Sequence, residues 1–90
     1  MAEYYYILDW SKGDNWGSPD DPIFLAHIEY MKELNDKGKL KFGGPYEDGT
    51  GSLTVFDCTE EEIKAIMEND PALRNNIMKV SLKKMDIFYQ

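Results

Sequence analysis

The chain has 90 residues and a formal net charge of −7, with 17 aspartates and glutamates against 10 lysines and arginines. Hydrophobic residues make up 42% of it and charged residues 30%, a balance typical of a folded globular protein rather than a disordered chain. The acidic character argues against nucleic acid and against anionic membrane surfaces as partners, because both are bound through Lys and Arg.

This length allows one small domain with one core, which we expect to span residues 1–90. No apolar run is long enough to cross a membrane, and the start MAEYYY lacks the basic and apolar regions of a signal peptide. The one cysteine, Cys58, cannot form an internal disulfide, which is compatible with a reducing compartment. We therefore expect a cytoplasmic protein.

The first predicted element is a strand over residues 3–10, EYYYILDW, because aromatic and branched residues dominate it. Both of its faces are apolar, so the strand should be central and covered on both sides. Residues 11–21 form a long predicted loop, rich in Gly, Asp, Asn, Ser and Pro. Trp16 stands among polar residues there and either packs onto the surface, which we prefer, or covers a ligand pocket.

A helix is predicted next, capped by Asp20 or Asp21 and ended by Gly38. Its apolar side chains recur near the 3.6-residue helical period, at Phe24, Ile28, Met31 and Leu34. His27, the one histidine, falls on the same apolar face. It is either a core histidine held by one hydrogen bond or a member of a functional site. A metal site is not favoured, since His27 and Cys58 offer no recognised ligand spacing.

The residues after Gly38 predict a β-hairpin. Residues 39–42 alternate as an edge strand, with the lysines outward and with Leu40 and Phe42 facing in. Residues 47–51, EDGTG, form a hairpin turn by their Asp-Gly content. The third strand is predicted over residues 52–58.

The last third of the chain predicts a second helix and a final strand. Residues 59–62, TEEE, form a capping box at the helix start. The dipeptide Asp70-Pro71 ends that helix, and Asp70 can then cap a short turn. The final strand is predicted over residues 77–89, with a bulge or bend where its apolar phase switches at Lys83-Lys84.

The predicted order of strand, helix, strand, strand, helix, strand indicates an α+β, ferredoxin-like fold. Its antiparallel four-stranded sheet carries both helices on one face, and the first and third strands are central. The other sheet face is apolar and would remain in water, which usually marks an interface. We therefore predict a homodimer through the open sheet faces, packed face to face as a dimeric α/β barrel.

With this order in place, the chain resembles the YciI-like, or YCII-related, family of the dimeric α/β-barrel superfamily. The resemblance covers nearly the whole chain and depends on a set of short motifs in one order. These are His27 in HIEYMKEL, Gly38-Lys39-Leu40, Gly44-Pro45, Gly51-Ser52, Asp70-Pro71 and the final KMDIFY.

The resemblance implies an active site between the sheet and the helices, formed by a histidine of the first helix and an aspartate before a proline. Those residues are His27 and Asp70 here. The resemblance also implies substrate-binding positions at Gly44, Pro45 and Ser52. From its place on the first strand, Tyr6 is a fourth predicted substrate-binding residue, with Tyr4 as the alternative that could add a hydroxyl. The family often has an arginine shortly before the histidine, which DDPIFLA lacks. That departure weakens the case for an anionic substrate.

Two functions remain open at this stage. The first is a small cofactor-free enzyme of the lyase or isomerase type, in which a His27–Asp70 dyad moves a proton on a small cyclic or aromatic metabolite. The second is a non-catalytic homodimer that binds a small molecule in the same pocket, since one fold hosts many functions. A cofactor-free oxygenase ranks below both, and His27 would be the one axial ligand for a haem, a role we do not favour.

Overall fold

The computed structural model describes residues 3–90. Its elements are β1 (Tyr4–Lys12), α1 (Pro22–Asp36), β2 (Leu40–Pro45), β3 (Ser52–Phe56), α2 (Glu60–Asn69), α3 (Pro71–Arg74) and β4 (Met78–Asp86). The strands form one antiparallel sheet in the order β2-β3-β1-β4. This is the predicted ferredoxin-like α+β arrangement, with β1 and β3 in the centre.

The core lies between the helices and one face of the sheet. On β1 the side chains of Tyr6, Leu8 and Trp10 are buried on that face. Ile63 and Ile66 of α2 are buried in the same apolar cluster, together with residues of α1. Both helices therefore cover one sheet face, as the alternation along β1 requires.

The helix ends are fixed by the residues predicted to cap them. The Asp21 side chain accepts a 2.8 Å hydrogen bond from the Ile23 N–H at the start of α1. Gly38 has a φ of 78°, the left-handed conformation that commonly follows a helix. Thr59 and Glu62 form the reciprocal capping box of α2, with bonds of 3.0 and 3.1 Å. These local devices set where each helix begins and ends.

The prediction that Leu40 and Phe42 share the inward face was wrong. The register shifts between them, so Leu40 pairs with Phe56 on the helix side while Phe42 pairs with Val55 on the open side. Leu40 is 7% exposed and Phe42 is 61% exposed. The bulge adds one residue to β2, which reverses the facing of everything after it.

The prediction of a bulge or bend at Lys83-Lys84 was also wrong, because β4 pairs regularly there. The pairing of β4 with β1 runs without a shift from Met78 opposite Lys12 to Asp86 opposite Tyr4. The two apolar phases of β4 therefore face opposite sides of a regular strand. Met85 pairs with Tyr5 on the open face, where it is 41% exposed.

Candidate active site

A cavity of about 810 Å³ opens between α1 and the end of the sheet that carries the β2–β3 hairpin. One stripe of α1 forms its helical wall, with residues Phe24, His27, Ile28, Met31, Lys32 and Asn35. Ile28 lies on the apolar face of the helix but is 46% exposed, because it faces the cavity and not the core. Small residues of β2 and β3, including Gly43, Gly44 and Ser52, form the opposite wall.

His27 and Asp70 meet at the buried side of this cavity. His27 Nδ1 lies 2.6 Å from Asp70 Oδ1, and the two residues are 5% and 0% exposed. The helix α1 supplies the imidazole, and the junction between α2 and α3 supplies the carboxylate. A carboxylate at this position accepts a hydrogen bond from Nδ1–H and stabilises the positive charge of an imidazolium.

Asp70 serves two donors at once. Its Oδ2 accepts a 3.0 Å hydrogen bond from the Leu73 N–H and so caps α3, while its Oδ1 contacts His27. The structural role and the contact with His27 are therefore not alternatives. The Leu73 N–H can only donate, so a carboxylate oxygen of Asp70 must face it. The other oxygen of Asp70 is thereby held toward His27.

The two nitrogens of the His27 ring have different surroundings. Across residues 3–90, every fully buried side-chain nitrogen or oxygen has a hydrogen-bond partner. The hydrogen bond of the imidazole is at Nδ1, and the ring lines the cavity. Nε2 has no hydrogen-bond partner in the described part of the chain, so it cannot be one of the fully buried atoms. Nε2 is therefore the nitrogen that a ligand in the cavity can reach.

Two aromatic rings pack on the imidazole. The Trp10 ring meets it edge to face at 4.7 Å between centroids, and the Phe24 ring stacks on it at 5.7 Å. Trp10 is fixed in turn, because its buried Nε1–H donates a 2.8 Å hydrogen bond to Thr54 Oγ1. Packing on Trp10 of β1 and Phe24 of α1 thus positions the ring of His27, in addition to the contact with Asp70.

The model of the YCII-related domain matches residues 4–86. The chain belongs to the YCII-related family. This membership confirms the resemblance that the short motifs indicated.

Solved structures with a similar fold include the following two. One is TftG, the 5-chloro-2-hydroxyhydroquinone dehydrochlorinase from Burkholderia phenoliruptrix AC1100, in complex with 2,5-dihydroxybenzoquinone. It is 25% identical with a TM-score of 0.61, and the match covers 87% of this chain and 90% of that one. The other is the protein YJCS, 15% identical with a TM-score of 0.56, over 93% and 98% of the two chains, a likeness of fold alone. A comparison with curated protein sequences finds no significant match.

Three of the four substrate-binding positions predicted for this YCII-related chain lie at the cavity. Gly44, Pro45 and Ser52 all line it, and their contact with a ligand remains a prediction. Tyr6 does not line it. Its side chain is 4% exposed and packs edge to face on Tyr4, toward the opposite end of β1. The geometry therefore does not support Tyr6 as a substrate-binding residue, and its burial raises the pKa of the phenol.

The cavity has residues that the sequence analysis did not single out. Lys12 ends β1 and Lys32 lies on α1, and both line the cavity. Thr54 lines it as well and is one of the few buried polar residues. Thr54 could have been found from its polar side chain on the inward face of a central strand. The lysines gave no such signal, because exposed lysines are common on any surface.

Trp16 combines the two interpretations given for it. It packs edge to face on Phe24 at 4.9 Å between centroids and also lines the cavity. The Lys12 ammonium lies 5.5 Å from the centroid of its ring. The loop that carries Trp16 is tied to the end of α3 by the Asn15 N–H, which donates a 2.9 Å hydrogen bond to the Asn76 carbonyl.

Burial raises the pKa of two further ionisable side chains, Tyr30 and Cys58. Burial, followed by the negative charge of Asp70, raises the pKa of the Tyr30 phenol. Burial also raises the pKa of the Cys58 thiol to about 11, so that thiol stays protonated near neutral pH. Within residues 3–90 no three His, Cys, Asp or Glu side chains are grouped to hold a metal ion. None of the described helices is long and apolar enough to cross a membrane.

Proposed function

We propose that the protein is a small cofactor-free acid–base enzyme that moves a proton on a hydroxylated ring compound. The observation that carries the proposal is the buried 2.6 Å contact between Asp70 and His27 Nδ1, which leaves Nε2 for the cavity. The similarity to TftG, a dehydrochlorinase solved with a hydroxyquinone, supports a ring compound as the substrate.

In the proposed reaction, Nε2 takes a proton from the ring compound, and Asp70 stabilises the imidazolium that forms. The electron pair released on the ring either expels a leaving group from a neighbouring carbon, as chloride for example, or shifts along the ring. In the second case the imidazolium returns the proton to another atom. The first outcome is an elimination and the second an isomerisation.

The tautomer of His27 tests this mechanism. In Asp70→Asn one oxygen becomes an NH₂ group, and the Leu73 N–H keeps the remaining oxygen because it can only donate. The NH₂ group then faces His27 Nδ1, which must accept, so the proton moves to Nε2. We expect ¹⁵N NMR of the single histidine to show the Nδ1–H form in the wild type and the Nε2–H form in Asp70→Asn.

Turnover is measured as chloride release from 5-chloro-2-hydroxyhydroquinone, without oxygen. We expect release by the wild type, a loss of about 10²- to 10⁴-fold in Asp70→Asn, and no release by His27→Gln. Asp36→Asn, an exposed aspartate at the end of α1, is the matched control and should behave like the wild type. An unchanged tautomer and unchanged turnover in Asp70→Asn would contradict the mechanism. Binding without turnover in the wild type would favour the alternative, a non-catalytic small-molecule-binding homodimer.

We also propose that two copies pair through their open sheet faces. The support is the apolar content of that face, where Phe42 is 61% and Met85 is 41% exposed, with Ile7 and Leu53 partly buried between them. A charge there would be desolvated on pairing. Met85→Asp should shift the protein from dimer to monomer in light scattering, whereas Leu25→Asp on the outside of α1 should not. A monomeric wild type would contradict the pairing.

A further inference from the structure

The charges around the cavity are opposite in sign to the charge of the whole chain. Seventeen of the 90 residues are acidic, yet none of the 19 residues lining the cavity is an aspartate or glutamate. The ionisable lining residues are Lys12, Lys32 and His27. Asp70 is fully buried behind the imidazole and does not reach the cavity surface.

The two lysines form no ion pair with a carboxylate of residues 3–90. Among residues 3–90, the ion pairs formed by side chains are His27 with Asp70 and Lys39 with Glu62. Neither Lys12 nor Lys32 belongs to a pair. Lys12 comes from the sheet wall, where it pairs with Met78, and Lys32 comes from the helical wall, one turn after Ile28. Two lysines outside the ion pairs thus line the cavity from separate elements.

The rest of the cavity suits a flat apolar ring. Trp16 and Phe24 form an aromatic corner, and the glycines of β2 leave open space opposite α1. A neutral ring would use this surface but would gain nothing from the lysines. A ring that carries a negative charge would use both, and the absence of carboxylates removes the repulsion that the remainder of an acidic chain would cause.

From this arrangement we infer that the cavity selects an anionic ring compound, bound as an acidic phenolate, a hydroxyquinone anion or a ring carboxylate. The inference deepens the proposed function and depends on it for the site, since it names the charge of the ring on which His27 would act. It also replaces the expectation drawn from the missing arginine before His27. The positive charge is supplied instead by Lys12 and Lys32. Both lie outside DDPIFLA, the segment before His27 in which the arginine was expected.

The test uses two probes of nearly the same shape that differ by one charge, 4-hydroxybenzoate and neutral 4-hydroxybenzamide, titrated by calorimetry or NMR at pH 7. We expect the wild type to bind the carboxylate about tenfold more tightly than the amide, since a unit-charge interaction at a partly exposed site contributes on the order of 1 kcal/mol or more. Raising the salt from about 0.01 M to about 1 M should remove most of that preference, because it shortens the Debye length from about 30 Å to about 3 Å.

The variants assign the preference to the lysines. Lys12→Gln and Lys32→Gln should each weaken binding of the carboxylate by about threefold to tenfold and leave the amide unchanged. Lys12→Arg keeps the charge and should keep the preference. Lys64→Gln removes an exposed lysine of α2 that does not line the cavity and should change neither affinity.

Equal affinities for the two probes in the wild type, no detectable binding of the carboxylate, or equal effects of Lys12→Gln and Lys64→Gln would each overturn the inference. These outcomes are separate from a failure of the proposed function. The tautomer of His27 and the release of chloride do not require the lysines to select an anion. Conversely, an unchanged tautomer in Asp70→Asn would leave the charge preference of the cavity measurable.

Discussion

The two ends of β1 show how one strand face can serve two purposes. At one end Tyr6 packs in a closed core with Phe56 and Ile63, which are both fully buried. At the other end Trp10 is just as buried, but the next residue on the same face, Lys12, stands at the rim of an open cavity. The strand is apolar along the whole face, so its own sequence does not distinguish the two ends.

The difference comes from the residues around each end. At the closed end, the large side chains of α2 fill the space between the helices and the sheet. At the cavity end, the sheet continues through β3 and β2 with Gly43, Gly44 and Ser52, whose small side chains leave the space under α1 empty. The hairpin also comes close to β1 there, because a Cβ on Gly51 would collide with the Trp10 carbonyl oxygen. Small residues on neighbouring strands, and not the strand itself, therefore create the opening.

The largest expected effect is the difference in stability loss between two isoleucine truncations, one at each end of β1. Ile63→Ala empties a fully buried position at the closed end and should lower the free energy of unfolding by about 2–5 kcal/mol. Ile28→Ala truncates a half-exposed side chain in the cavity wall and should cost well under about 1 kcal/mol. Chemical denaturation measures both. Ring-compound affinity should change only in Ile28→Ala, and equal losses of stability would contradict the division of the strand.

A smaller effect is expected from removing one side-chain hydroxyl at each end of β1. Thr54→Val removes the acceptor of the Trp10 N–H, and an unpaired buried donor costs about 1–3 kcal/mol. Because Trp10 packs on His27, affinity for 4-hydroxybenzoate should fall as well. Tyr6→Phe at the closed end should leave both affinity and turnover unchanged. A loss of turnover in Tyr6→Phe would mean that Tyr6 reaches the substrate after all.

Much of the fold could be predicted because the signals are local. Capping residues and hydrophobic periodicity are carried by neighbours in sequence, so Asp21, Thr59 and Gly38 marked helix ends correctly. The side of the sheet on which Phe42 lies could not be predicted. A bulge depends on how β2 pairs with β3 and not on the alternation within β2. The central position of β1 could be predicted because both of its faces are apolar and need to be covered.

The candidate site was predictable only in part. The motifs of the family led to His27 and Asp70, which the fold brings into contact across 43 positions of sequence. Tyr6 was chosen as a tyrosine on the right strand face, a criterion that says nothing about position along the strand. Lys12 and Lys32 were missed because a cavity rim is assembled from elements that are distant in sequence, and no local pattern marks a lysine that reaches it.

The double duty of Asp70 has a consequence for how related chains are compared. Asp70 caps the start of α3, so its replacement would cost stability whether or not the protein is an enzyme. We therefore expect related chains to keep this aspartate even where no reaction is catalysed. No such reason protects His27, whose other contacts are aromatic packing that a leucine or phenylalanine could replace. Among related chains, the residue at the position of His27 therefore indicates more about activity than the residue at the position of Asp70. Replacement of the histidine alongside a retained aspartate would mark a branch that lacks the reaction proposed here and keeps the fold.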